Sequence, residues 1–154
     1  MSDASPLIVL LKTNKLSILE KLFEKVNIPK EVYREITAKE QDKLFFSKIS
    51  WIETKTVKNT ELKVFLEKLI DKGEAEAIVL AKELKMPLLA DDSKARKYAK
   101  LLNVDVIGTL GLLKIAKNRG VIPSVKEVIS DMLAQGYYLD DKLITRLLDD
   151  VDES

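Results

Sequence analysis

Between Gly73 and Asp92 the chain places two pairs of carboxylates around one helix and one short strand. Glu74 and Glu76 lie in the first turn of a helix predicted from Ala77, Ile78, Leu80, Ala81 and Leu84, which share one face at a 3.6-residue period. Negative charge there suits the helix dipole, and Gly73 is expected to separate this helix from the one before it. Pro87 opens a strand over Leu88–Ala90, where a missing N–H costs least. Asp91 and Asp92 follow where that strand ends and a helix from Ser93 to Leu102 begins. In open α/β sheets, ligands gather at the carboxyl ends of strands.

The residue types that are missing narrow the chemistry. The 154 residues include no histidine and no cysteine. That excludes an imidazole base, a His-bearing triad, thiolate nucleophiles, disulfides, iron–sulfur clusters and Cys- or His-based zinc sites. Any catalysis must use carboxylates, hydroxyls, lysines or a bound hard cation. Mg²⁺ and Mn²⁺ prefer oxygen ligands, and this chain has 25 Asp and Glu to offer them.

The elements that must position these acids read as alternating helix and strand. Ser5-Pro6 predicts an N-cap and first helical position, with a helix from Pro6 to about Lys12. Asp3 stands just upstream, at the end of a first strand that has only Met1 and Ser2 to form it. A helix over Asn14–Lys25 turns Leu16, Leu19, Leu22 and Phe23 inward. A strand at Val26–Ile28, stopped by Pro29, leads to a helix over Lys30–Thr37 that carries Glu35. Leu44–Ile49 is read as helical, Trp51–Val57 as an edge strand, and Asn59 as the cap of a helix to Ile70. Val104–Ile107 is a strand, followed by a helix over Thr109–Arg119 with Gly120 at its end. Helices over Ser124–Gln135 and about Asp140–Asp150 complete the chain. The predicted class is α/β: a doubly wound three-layer α/β/α domain over residues 1–154, with about five mostly parallel strands and a helical extension from about residue 137.

Composition adds bounds. A formal net charge of +1 gives no global basic field, so contact with nucleic acid requires a local Lys/Arg patch. The Lys/Glu-rich, Cys-free balance is of the kind associated with thermophiles. The apolar run Leu7–Leu11 is far short of a membrane span and is preceded by Asp3 rather than a basic segment, so a cytoplasmic protein without membrane contact is expected. No GxxxxGK[ST] or GxGxxG loop is present.

Five segments in order, SDASPLI (2–8), IPKEVYREI (28–36), KGEAEAIVLA (72–81), LLADDSKAR (88–96) and VIGTLGLL (106–113), resemble PIN domains, and more narrowly their compact prokaryotic branch. The resemblance implies a carboxylate cluster that binds Mg²⁺ or Mn²⁺ and cleaves single-stranded RNA. The best-known proteins of this kind are the toxins of toxin–antitoxin pairs, so an antitoxin protein is an implied partner, with homo-oligomerisation the other assembly. Matched motif by motif, the acidic positions fall on Asp3, Glu35, Glu74 and Asp92, with Asp91 a further metal ligand and Glu76 a neighbouring candidate. Many PIN toxins carry an aspartate where Glu74 stands. Ser5 and Thr109 are secondary candidates, as hydroxyls beside a ligating carboxylate.

Each acid also has an ordinary reading: Asp91 or Asp92 as a helix cap, Glu74 and Glu76 as dipole partners, Glu35 as an exposed charge and Asp3 as a loop residue. Together they would repel, and a divalent cation relieves that repulsion while activating water. Lys94 and Arg96 could meet phosphate, and Tyr137 or Tyr138 could stack on a base, although solvated charge and packing are the commoner roles. Two alternatives stand beside the nuclease. A catalytically silent PIN-like scaffold would act through protein contacts. A phosphoryl-accepting receiver module needs its acidic pair after the first strand, whereas here the pair follows a late one.

Overall fold

The computed structural model describes residues 1–154. Its elements run α1 (Ala4–Lys12), α2 (Ser17–Leu22), β1 (Val26–Pro29), α3 (Lys30–Ile36), α4 (Glu40–Ser47), β2 (Ile52–Lys55) and α5 (Thr60–Glu67). They continue with α6 (Lys72–Leu84), β3 (Leu88–Leu89), α7 (Ser93–Leu101), β4 (Val106–Ile107), α8 (Thr109–Asn118), α9 (Val125–Ala134) and α10 (Asp141–Asp150). The α/β alternation is as expected. No helix is long and apolar enough to cross a membrane.

The sheet differs from the continuous five-stranded one predicted. The strands form two parallel pairs, β1 with β2 and β3 with β4. The chain start lies between the pairs and bonds to both. Ser2 N–H donates to Asn27 O at 3.0 Å, Leu89 N–H to Met1 O at 2.9 Å, and Asp3 N–H to Leu89 O at 2.9 Å. That segment makes a single bridge, Ser2 with Leu89, rather than a ladder, because Asp3 already turns into α1. All pairings are parallel, so Asp3, Pro29, Asp91 and Gly108 leave the strands at the same end.

Apolar cover lies on both sides. One cluster joins α1, β1, α8 and α9 through Leu7, Leu10, Ile28, Leu112, Leu113 and Met132, and it takes in Leu147 and Val151 from the C-terminal region. The other packs α6 against α5 and α7 through Leu66, Ile78, Val79, Ala95 and Ala99. Leu89 belongs to the first cluster, and Leu88 and Ala90 to the second, the alternation of a strand buried on both faces.

Helix α6 is the central element and is buried almost all round rather than along one stripe. Val79 is fully buried, while Leu84, assigned to the inner face, is 38% exposed at the helix end. Three further boundaries move for local reasons. Asp3 rather than Ser5 caps α1, accepting from Ala4 N–H at 2.8 Å, which leaves Ser5 exposed in the first turn. The second helix shortens to Ser17–Leu22 because Asn14 adopts a left-handed turn (φ 58°), and Phe23 is already extended. Gly73 does not separate two helices: α5 ends at Glu67, and Gly73 is the second residue of α6.

Candidate functional site

Five helices, α1, α3, α6, α7 and α8, begin at the common end of the strands, and a carboxylate attends each start. Asp3 caps α1 through Oδ1. Asp71 caps α6, accepting from Glu74 N–H at 2.8 Å. Asp92 caps α7, accepting from Ala95 N–H at 2.9 Å. Asp91 reaches across to α8, where Thr109 donates both its N–H, at 2.7 Å, and its hydroxyl, at 2.5 Å. A cap of this kind satisfies an orphan helix donor. In Asp3 and Asp92 it uses one oxygen and leaves the other free of hydrogen bonds.

The acids lie within electrostatic reach of one another. Asp3, only 5% exposed, is pushed up to about 6, first by burial and then by Asp71, Asp92 and Asp91, against the Ala4 hydrogen bond. Glu35, exposed as a residue on α3, rises to about 7 through partial desolvation of its carboxylate against α6 and the charges of Asp71, Asp3 and Glu31. Glu74 rises furthest, to about 9. Desolvation is the largest cause, followed by a hydrogen bond to Asp71 that favours the protonated form and by the charges of Asp71, Asp3 and Asp92. Its Oε2 is buried without any partner. No lysine or arginine is paired with Asp3, Glu35, Asp71, Glu74 or Asp92.

Gly73 makes this proximity possible. A Cβ there would overlap Glu35 Oε1 and lie 3.2 Å from Glu35 Cδ. The missing side chain therefore lets the α3 carboxylate rest on the first turn of α6, beside Glu74 and Asp71.

Glu76 is engaged elsewhere. It is 7% exposed, its Oε2 accepts from Glu31 N–H at 3.0 Å, and its Oε1 lies 3.3 Å from Lys63 Nζ. It thus caps α3 and is neutralised. Thr109 is buried and holds Asp91, while Ser5 is exposed with no hydrogen bond from its hydroxyl. Sequence reasoning missed Asp71. The available signal was the run Asp71-Lys72-Gly73-Glu74, an N-cap acid three residues before a glutamate, obscured when Gly73 is taken as a break.

The donor set suits a hard cation: every free group is an oxygen, the acids lack cationic partners, and one buried Glu74 oxygen is unsatisfied. The side chains as placed do not draw three carboxylates together closely enough to hold a metal ion.

At the carboxyl ends of these parallel strands, in an α/β chain without histidine or cysteine, the candidate site is made of carboxylates that no basic side chain neutralises. The family model described as PIN domain matches residues 1–153, and the chain belongs to that family. PIN domains are generally nucleases that use divalent metals. No curated protein and no solved structure gives a significant match.

Proposed function

We propose that the protein is a Mg²⁺- or Mn²⁺-dependent endoribonuclease that hydrolyses single-stranded RNA, acting as the toxin of a toxin–antitoxin pair. The observation that carries this reading is the buried, unpartnered Oε2 of Glu74 among acids that no basic side chain neutralises. The chain has 26 Lys and Arg and pairs them with other acids, including Glu76 and Glu153. Leaving this cluster bare costs stability, and the cost is recovered when a cation binds.

Asp3, Glu35, Glu74 and Asp92 would hold the ion, with Asp91 as a further ligand. When bound, the ion supplies an ionised water at neutral pH and stabilises charge on the phosphoryl oxygens. The remaining work falls to the chain. Asp3 and Asp92 orient their carboxylates through the helix caps they make. Glu74, while protonated, donates to Asp71 and is held by it. Thr109 fixes Asp91 with two hydrogen bonds. Ser5 stands exposed two residues after Asp3, free to meet a substrate oxygen.

The test is cleavage of a single-stranded RNA by purified protein in Mn²⁺, beside Asp92→Asn. Asparagine also caps helices, so the fold is retained. Most of the activity should be lost, because water, phosphate and cation are positioned together. Products should carry 5′-phosphate and 3′-hydroxyl ends. A 2′,3′-cyclic phosphate, or cleavage indifferent to EDTA, rejects the mechanism.

The silent-scaffold reading is favoured by one observation, the lack of three carboxylates gathered around a common point. Calorimetric titration with Mn²⁺ separates the two: the scaffold gives no binding heat.

A further inference from the structure

Helix α7 reads Ser-Lys-Ala-Arg-Lys-Tyr-Ala-Lys-Leu, with four basic residues and no acid. Ala95 and Ala99 are buried, whereas Ser93, Arg96, Lys97 and Lys100 line one open depression of about 510 Å³. None of Lys94, Arg96, Lys97 or Lys100 forms an ion pair, although six other basic side chains do. Like charges three and four residues apart repel on a helix and weaken it. In a chain of net charge +1, such a concentration is a local cost that no ion pair inside the molecule offsets.

Arg96 also reaches the lip of a second cavity, of about 650 Å³, that lies along α8 and α10 and shares Asp91 and Thr109 with the acid site. Its Nη1 would lie 3.0 Å from a Cβ at Gly108, at the start of α8. The acids of this groove are already engaged: Asp91 by Thr109, Asp140 as the cap of α10, and Asp150 by Lys114 at 3.3 Å. Arg96 and Arg146 remain unpaired in it. Tyr138 borders the same groove and is 88% exposed, directly after the turn in which Gly136 takes φ 88°. Unpaired cations beside a bare aromatic ring are the two components of a single-strand platform, one for phosphates and one for a base.

We infer that a single nucleic-acid strand lies along the exposed face of α7 and continues into the groove between α8 and α10. Its phosphates rest on Lys100, Lys97, Arg96 and Arg146, and a base stacks on Tyr138. Asp91 lines the groove and Ser93 the depression on α7, on either side of Asp92 in the chain, so the strand passes beside the acid cluster. The inference rests on the nuclease reading and adds the path by which the substrate is held.

The test is fluorescence anisotropy with a labelled single-stranded RNA of about a dozen nucleotides, in EDTA so that binding is read without cleavage. Replacing Arg96, Lys97 and Lys100 together with alanine should weaken binding by at least about tenfold at moderate salt. It should also flatten the dependence of log affinity on log salt by about 2, near 0.7 per lost phosphate contact. Tyr138→Ala should weaken binding roughly tenfold with no change in that slope. A control replaces the exposed Lys21, Lys48 and Lys68 with alanine, removing the same charge elsewhere. Equal losses in the control, no loss in the α7 variant, no binding at all, or a duplex bound as tightly as the single strand would each overturn the inference. Cleavage of the same oligonucleotide in Mn²⁺ separates it from the nuclease reading. Binding through α7 without cleavage refutes the nuclease alone. Cleavage with affinity indifferent to α7 refutes the track alone.

Discussion

Glu74→Gln tests whether the acid cluster stores energy for a cation. Burial and the neighbouring acids lift Glu74 from an ordinary 4.5 to about 9. Because the folded value is raised, its contribution is fully present below pH 4.5 and is lost as the pH rises towards 9. At pH 7 an unscreened shift of this kind would cost on the order of 3 kcal/mol. Part of the carboxylate faces solvent, and screening reduces the cost to roughly 1–2 kcal/mol. Glutamine keeps the shape, can donate to Asp71 as protonated Glu74 does, and carries no charge at any pH. In EDTA at pH 8, the variant should therefore melt about 3–6 °C above the wild type for a domain of this size. The difference should vanish near pH 4.5. Mn²⁺ should raise the wild-type melting temperature at pH 8 and raise the variant's much less, since a ligand of the native state stabilises only where it binds. Thermal melts across pH, with and without Mn²⁺, read every part. A variant less stable than wild type in EDTA at pH 8, or one with the same pH slope, would refute the reasoning.

Two further outcomes follow from the same geometry. Gly73→Ala places a Cβ on Glu35 Oε1, and because that carboxylate is the end of a flexible chain it should swing outward rather than unfold the helix. Alanine's better helix propensity, up to about 1 kcal/mol, offsets the disturbance, so the melting temperature in EDTA should stay within about 2 °C while the Mn²⁺-induced rise falls; an unchanged rise would remove Glu35 from the ion site. Glu153 accepts from the Ser124 hydroxyl at 2.7 Å and Val125 N–H at 2.8 Å, and the first of these bonds is the main reason it is drawn down to about 2. Its contribution is present above 4.5 and lost as the pH falls through 2, so Glu153→Gln should lower the melting temperature at pH 6 and flatten its acid decline between about pH 4 and 2; coincident melts would show that the α9 cap contributes nothing.

How much of this was legible in sequence depended on how local the cause was. The strand at Leu88, the carboxylate doublet after it and the cap at Asn59 follow from a few adjacent residues, and the structure has them there. The doublet offered either Asp91 or Asp92 as the cap of α7, and only the structure gives the cap to Asp92 and sets Asp91 on Thr109, because Thr109 arrives from another strand end. Glu76 and Glu74 differ by two positions and look alike in sequence. What separates them is Lys63 on α5, which neutralises one and cannot reach the other. Gly73 was readable as a break because glycine usually weakens helices. Its actual reason is the approach of Glu35 from α3, which no local pattern reveals. Asp71 was missed with it.

The short first strand is the clearest case of one segment serving structure and site together. Three residues cannot form a ladder, yet Met1–Asp3 ties β1 to β3 with three backbone hydrogen bonds and then ends on a buried carboxylate. Its geometry leaves Asp3 little choice of position: the N–H is held by Leu89 O, and Oδ1 is held by Ala4 N–H. A carboxylate fixed in this way cannot relax away from Asp71 and Asp92 when it ionises, so it must carry its proton longer or accept a cation. Glu35 and Glu74, on longer side chains, have more freedom to adjust around that fixed point. The cluster thus combines one rigid acid at the centre of the strands with adjustable acids on α3 and α6. On the proposed nuclease reading, that division is what would let an arrangement with no three carboxylates closed on a point close on an ion.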